Sequence, residues 1–158
     1  MFMNRVFLVS ALIVIVLFGC KPNTSVEVWN CFQETKINED WIGISESTSE
    51  IRDGVYGETN STVIVREIST NKESLLKSKV TFDFHKDGNS VEQTLITADW
   101  EIINDELNVF SEGRASNLLP SIGSTLYGTQ ESLDNGAVKT TYDSGLTTEC
   151  KLVDDRSH

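Results

Sequence analysis

Three observations predict an all-β chain, a single antiparallel β-barrel or sandwich. Residues 26–158 show almost no helical periodicity. β-Branched and aromatic runs recur about every ten to fifteen positions. Turn formers stand between those runs, at Asp53-Gly54, Asp87-Gly88, Asp134-Asn135-Gly136 and Ser144-Gly145.

In chain order, the first three candidate strands are Val26 to Cys31, Trp41 to Ser47 and Thr62 to Thr70. Thr70 to Ser78 is less regular, and Leu75-Leu76 suits a helical turn. Val80, Phe82 and Phe84 then alternate with Thr81, Asp83 and His85, which predicts a strand with one buried face. Asp87-Gly88 supplies the positive φ of a tight hairpin, and Ser90 to Thr97 is the return strand. A second hairpin is expected from Asp99 to Ile103, a turn at Asn104-Asp105, and a return over Glu106 to Ser111. Gly113 to Thr125 carries Leu118, Leu119, Pro120 and Ile122 among Gly, Ser and Asn. It reads either as a plug in an open barrel end or as a lid over an apolar pocket. Thr125 to Thr129, Ala137 to Asp143 and Leu146 to Val153 complete the meander, whose closure would remove its exposed edges.

The start of the chain has a different character. Arg5 is the only charged side chain before Lys21, and the thirteen residues Val6 to Phe18 contain one hydroxyl. That is the order of an export signal. As a helix it would reach roughly 20 Å, short of the ~30 Å hydrocarbon core that a permanent span must cross. Its end, Leu17-Phe18-Gly19-Cys20, resembles the lipobox of bacterial lipoprotein signal peptides. The resemblance implies that signal peptide 1–19 is cut before Cys20, that the Cys20 thiol takes a diacylglycerol, and that the new amino terminus is acylated, typically with palmitate. Each buried methylene contributes about 0.8 kcal/mol, so one chain binds marginally while two or three anchor stably. In lipoproteins of two-membrane bacteria, an aspartate after the lipid cysteine marks inner-membrane retention. Lys21 stands there instead, which implies the outer membrane, with the domain facing the periplasm. Residues 20–25 form a polar tether of at most about 17 Å beyond the cysteine, and 26–158 form the folded domain.

The 158 residues carry a net charge of -11, and loss of the leader with Arg5 takes it to -12. An acidic chain of this kind is a poor partner for nucleic acid. It would be repelled by anionic headgroups, so membrane contact should depend on the lipid. With Cys20 assigned to the lipid, Cys31 and Cys150 remain as an even pair in an oxidising compartment. They are expected to bridge, the alternatives being two free buried thiols or pairing between chains.

Trp41-Ile42-Gly43, Phe82-x-Phe84-x-x-Asp87-Gly88, Asp99-Trp100-x-Ile102 and Leu107-x-Val109, in that order, resemble the small lipocalin-like domains of bacterial lipoproteins. The resemblance implies a barrel that binds a small apolar ligand, or one with a filled interior. Trp41, Phe82, Phe84, Trp100, Leu118 and Leu119 are the candidate lining.

Little in the chain points to catalysis. A Ser-His-acid triad needs a histidine, and only His85, on an outward strand position, and His158 exist. No histidine or cysteine spacing suits zinc, and Asp83 and Asp87-Gly88 read as hairpin residues rather than a calcium loop. No catalytic residue, metal or cofactor is expected. Acids cluster at Glu39-Asp40, Glu46, Glu50 and Asp53, and again at Glu101, Asp105 and Glu106, where solvated faces account for them; a paired-acid hydrolase would need two of them facing across a cleft. The function expected is a non-enzymatic binding or accessory module of the cell envelope. The alternatives are a carrier of a small apolar ligand and a periplasmic inhibitor of a cationic enzyme such as lysozyme.

Overall fold

The computed structural model describes residues 24–113 and 121–156. They form eight strands: β1 (Val26–Lys36), β2 (Trp41–Arg52), β3 (Tyr56–Glu67), β4 (Glu73–Asp87), β5 (Ser90–Asp105), β6 (Thr125–Ser132), β7 (Ala137–Tyr142) and β8 (Thr147–Asp155). Each pairs antiparallel with the next, and β8 pairs with β1, so the sheet closes into an up-and-down barrel. The expected barrel is therefore present, and the sandwich is not.

Several strands run further than their sequence predicts. β2 and β3 extend to meet around Asp53-Gly54, with Arg52 opposite Tyr56. Asp53 fixes the corner through Ser25, its amide donating to the Ser25 carbonyl and its carboxylate accepting from the Ser25 amide, both at 2.9 Å. At the β4–β5 turn Asp87 opposes Ser90, leaving Gly88 and Asn89 as a two-residue loop. Gly88, at φ 57°, takes the left-handed position that a side chain would resist.

Two expectations need correction. Thr70 to Ser78 holds no helical turn; Leu75 and Leu76 lie within the fifteen-residue strand β4. Ser74, Leu76 and Ser78 point inward there, and Ser74 and Leu76 are almost fully buried. Small hydroxyls on the inner face hid the alternation. Likewise Ser90 to Asp105 is one strand of sixteen residues, not the return of one hairpin and the start of another. Two bulges mask its continuity: Thr81 pairs with Thr97 but Phe82 with Leu95, and Leu75 pairs with Asn104 but Leu76 with Ile102. Ile96 and Ile103 are the extra residues, and each resets which face the following side chains occupy. Glu106 to Ser111 is then a run of turns rather than a return strand.

Those turns are a plug. Val109 is fully buried against Val65, with Ile37, Trp41, Leu107 and Phe110 packed around the pair. Asp105 holds the segment in place. One carboxylate oxygen accepts from the Val109 and Phe110 amides at 2.9 and 3.3 Å, the other from the Ser111 amide and hydroxyl at 2.8 and 2.5 Å. The Ser74 hydroxyl accepts from the Leu107 amide at 3.0 Å. Partial desolvation would raise the Asp105 carboxyl, but the bonds from Ser111, Phe110 and Ser74 outweigh it and hold it at about 2.

At the other end of the barrel Phe82, Phe84 and Val91 form a second buried cluster with Ile51 and Val80. Here glycine makes room. Gly57 lies directly opposite Phe82, and a Cβ on Gly57 would sit 2.2 Å from the ring. Gly128 opposes Tyr142, where a Cβ would meet the Thr141 carbonyl oxygen at 2.8 Å and Tyr142 Cδ1 at 3.1 Å. In each pair an aromatic ring covers a bare stretch of the neighbouring strand, which supports tight sheet curvature.

The outward positions of β4 carry Lys77, Lys79, Thr81, Asp83 and His85. Arg66 pairs with Glu73 at 2.6 Å and Lys79 with Glu58 at 3.0 Å across the outer face. A charged outer face does not fit a barrel that crosses a membrane, whose outward band is apolar.

Candidate functional site

Between the plug and the aromatic cluster the barrel holds a partly open lumen of about 290 Å³. Its lining follows from strand alternation, because every second residue of each strand points inward. The middle of the lumen is a belt of small hydroxyls: Ser45, Ser47 and Ser49 from β2, Thr59 and Ser61 from β3, and Ser78 from β4. Ser47, Ser61 and Ser78 lie in one register row, Ser47 opposite Ser61 and Ser61 opposite Ser78. Their short side chains leave the space that larger residues would fill.

The facing wall, from β6 to β8 and the start of β5, contributes amides and further hydroxyls. These are cross-linked by hydrogen bonds. Gln130 Nε2 donates to Thr140 at 3.2 Å, the Thr148 hydroxyl donates to Gln33 at 3.0 Å, and the Tyr142 hydroxyl donates to Gln93 Oε1 at 2.9 Å. Across the belt Ser49 and Thr59 share a bond of 2.7 Å. The Tyr142 ring is half-buried with its hydroxyl end inside. Burial pushes its phenol up to about 12, against the opposing effect of the Gln93 bond. Apolar surface comes from Val80, Phe82, Phe84, Leu95 and Leu126 toward one end, and from Trp29 and Trp100 at the sides.

The disulfide belongs to this wall. Cys31 and Cys150 face each other across the β1–β8 pairing that closes the barrel, with an S–S distance of 2.06 Å. The expected bridge is thus present, joining strands 119 residues apart in sequence. It also lines the lumen.

The other sequence-predicted residues divide. Phe82 and Phe84 point inward and border the lumen. Trp100 borders it too, while 39% of its surface stays exposed. Trp41 does not line it; it packs on the plug, as part of the closed end. Leu118, Leu119 and Cys20 lie outside the described residues, as does most of the apolar part of the Gly113 to Thr125 segment. Among the described residues, Leu107, Val109 and Phe110, which the sequence places in a strand, form a plug. The hydroxyl belt and Gln93, Gln130, Thr140 and Tyr142 were missed. A signal existed for the belt: Ser45, Ser47 and Ser49 alternate with Glu46, Thr48 and Glu50, a strand pattern written in small polar residues.

Glu27 is the one carboxylate among the lining residues, and the Trp29 indole donates to it at 3.0 Å. The acids of the two sequence clusters are not brought to the lumen, and His85 points outward. Among the described residues, no three His, Cys, Asp or Glu side chains come together as a metal site. A wider hollow of about 960 Å³ follows the same row of the sheet, shares Ser47, Ser61, Ser78, Trp100 and the disulfide with the lumen, and is also bordered by Lys77, Lys79, Asp99, Glu101, Glu149 and Lys151. It is open to solvent and mixes both signs of charge, so the lumen is the better-formed chamber. Compared with protein-family models and with curated proteins, the chain finds no match.

Proposed function

We propose that this chain is a non-enzymatic lipoprotein of the cell envelope, anchored in the outer membrane through Cys20, whose barrel holds a small molecule in its lumen. The partly open chamber of about 290 Å³ carries the reading. A barrel that served only as a scaffold would gain from filling its interior with large side chains, since packed cores leave few voids larger than a water. Here six serine and threonine side chains on three adjacent strands keep the middle open instead. The lipobox-like Leu17-Phe18-Gly19-Cys20 and the acidic, charged exterior support the anchor. A protein so built is held at the membrane by lipid while its domain stays in the aqueous compartment.

A thermal-shift experiment tests the binding. A ligand that binds only the folded state raises the melting temperature by mass action. A small-molecule extract of the cell envelope should therefore raise the melting temperature of the full-length chain and leave a lumen-filled variant, Ser61→Phe, unmoved. An extract that shifts neither protein, or both alike, contradicts the reading and directs the search to protein partners. The anchor is tested separately: Cys20→Ser should stay unprocessed and take up no labelled palmitate. Normal processing of that variant would sink the lipobox assignment.

A further inference from the structure

Resting on the reading of the lumen as a binding chamber, we propose that its guest is an uncharged ring bearing several hydroxyl groups, a sugar or cyclic polyol, rather than a lipid chain. The argument begins with the belt. Ser47, Ser61 and Ser78 sit on adjacent strands in one register row, so their hydroxyls are spaced by the distance between strands, about 4.8 Å. None of the three makes a hydrogen bond to another side chain among the described residues, and none is sealed from a guest or water. An apolar guest would strip water from these hydroxyls and give nothing back, which is the costly way to treat a polar group. A guest with hydroxyls around its rim can pair with several of them at once, because each serine is both donor and acceptor.

The rest of the lining agrees. Trp29 and Trp100 line the lumen together with the belt, and the apolar face of an indole suits the C–H face of a saturated ring. Charge is nearly absent: Glu27 is already bonded to the Trp29 indole at 3.0 Å, and Lys86 lies next to the β4–β5 turn, at the end of its strand. A charged ligand would meet no dedicated partner beside the belt. Size points the same way. At about 290 Å³ the lumen lies at the lower edge of ligand pockets, which run from about 300 to 1,000 Å³. It suits one or two rings.

The test is calorimetric titration of the full-length chain with glucose, N-acetylglucosamine, maltose, myo-inositol and octanoate, followed in parallel by tryptophan fluorescence. Saturable binding of at least one of the sugars or inositol is expected, with no heat from octanoate. Ser61→Ala and Ser78→Ala should each weaken that binding about tenfold without lowering the melting temperature by more than a few degrees. Binding that survives both substitutions unchanged would overturn the proposal. So would binding of octanoate alone, although that result would leave the chamber itself standing. Failure of all five probes also overturns it, and the envelope-extract experiment then decides separately whether the lumen binds anything.

Discussion

Replacing Asp105 with asparagine should loosen the plug, and the structure gives the size of the effect. The carboxylate takes four hydrogen bonds from Val109, Phe110 and Ser111, and its carboxyl is held at about 2 against an ordinary 3.8. A displacement of that size corresponds to about 2 kcal/mol. Asp105 is only half-buried, so solvent screening trims this to about 1–2 kcal/mol. The sign follows from linkage. A carboxyl lowered by folding adds stability above its unfolded value near 4, and that stability drains away as pH falls toward 2. Urea unfolding of wild type and Asp105→Asn should therefore differ by about 1–2 kcal/mol at pH 7 and by about half as much at pH 3. Amide exchange at Leu107 to Ser111 should accelerate in the variant while β2 and β3 stay protected. Equal stabilities at pH 7, or a difference that does not change with pH, would refute the claim that the charged carboxylate fastens the plug.

Other perturbations probe the rest of the barrel. Reducing Cys31–Cys150 releases a cross-link over 119 residues, for which the chain-entropy model gives about 5 kcal/mol; the melting temperature should fall by roughly 15 °C, and a fall of only a degree or two would deny the bridge its role at the seam. Gly57→Ala pushes a methyl against the Phe82 ring and should cost about 1–3 kcal/mol by overpacking; a neutral result in urea unfolding would show that the ring moves away freely. The Tyr142 phenol, raised to about 12, stays protonated after an unfolded tyrosine would ionise, so stability should decline as pH rises from about 10 to 12. Ultraviolet titration that shows every tyrosine ionising near 10 would contradict its burial.

The barrel was legible wherever large apolar residues alternated with polar ones. Val80, Phe82 and Phe84 announced β4, and Asp87-Gly88 announced its turn, because both signals depend on a few neighbouring residues. The reading failed where the inner face is polar. Ser74 and Ser78 made the first half of β4 look irregular, and the expected second strand stopped at Ser47 although β2 continues through Ser49 to Arg52. It failed again at Ile96 and Ile103, since a bulge shifts the two-residue period and breaks one strand into two apparent ones. The plug was hidden for a third reason. Leu107 and Val109 alternate as a strand does, but the Asp105 carboxylate turning back on the following amides and the Ser74 hydroxyl holding the Leu107 amide divert the chain. The disulfide could be inferred by counting cysteines, but its place inside the lumen required the register of β1 against β8.

The central claim is that the lumen holds a small molecule. Native mass spectrometry of the mature protein, purified without denaturation from its own cell envelope, tests it most directly when set beside the lumen-filled variant Ser61→Phe. The account predicts a small uncharged adduct on the wild-type protein, released on unfolding and absent from the variant. A wild-type mass with no adduct, or one carried equally by both proteins, would contradict it.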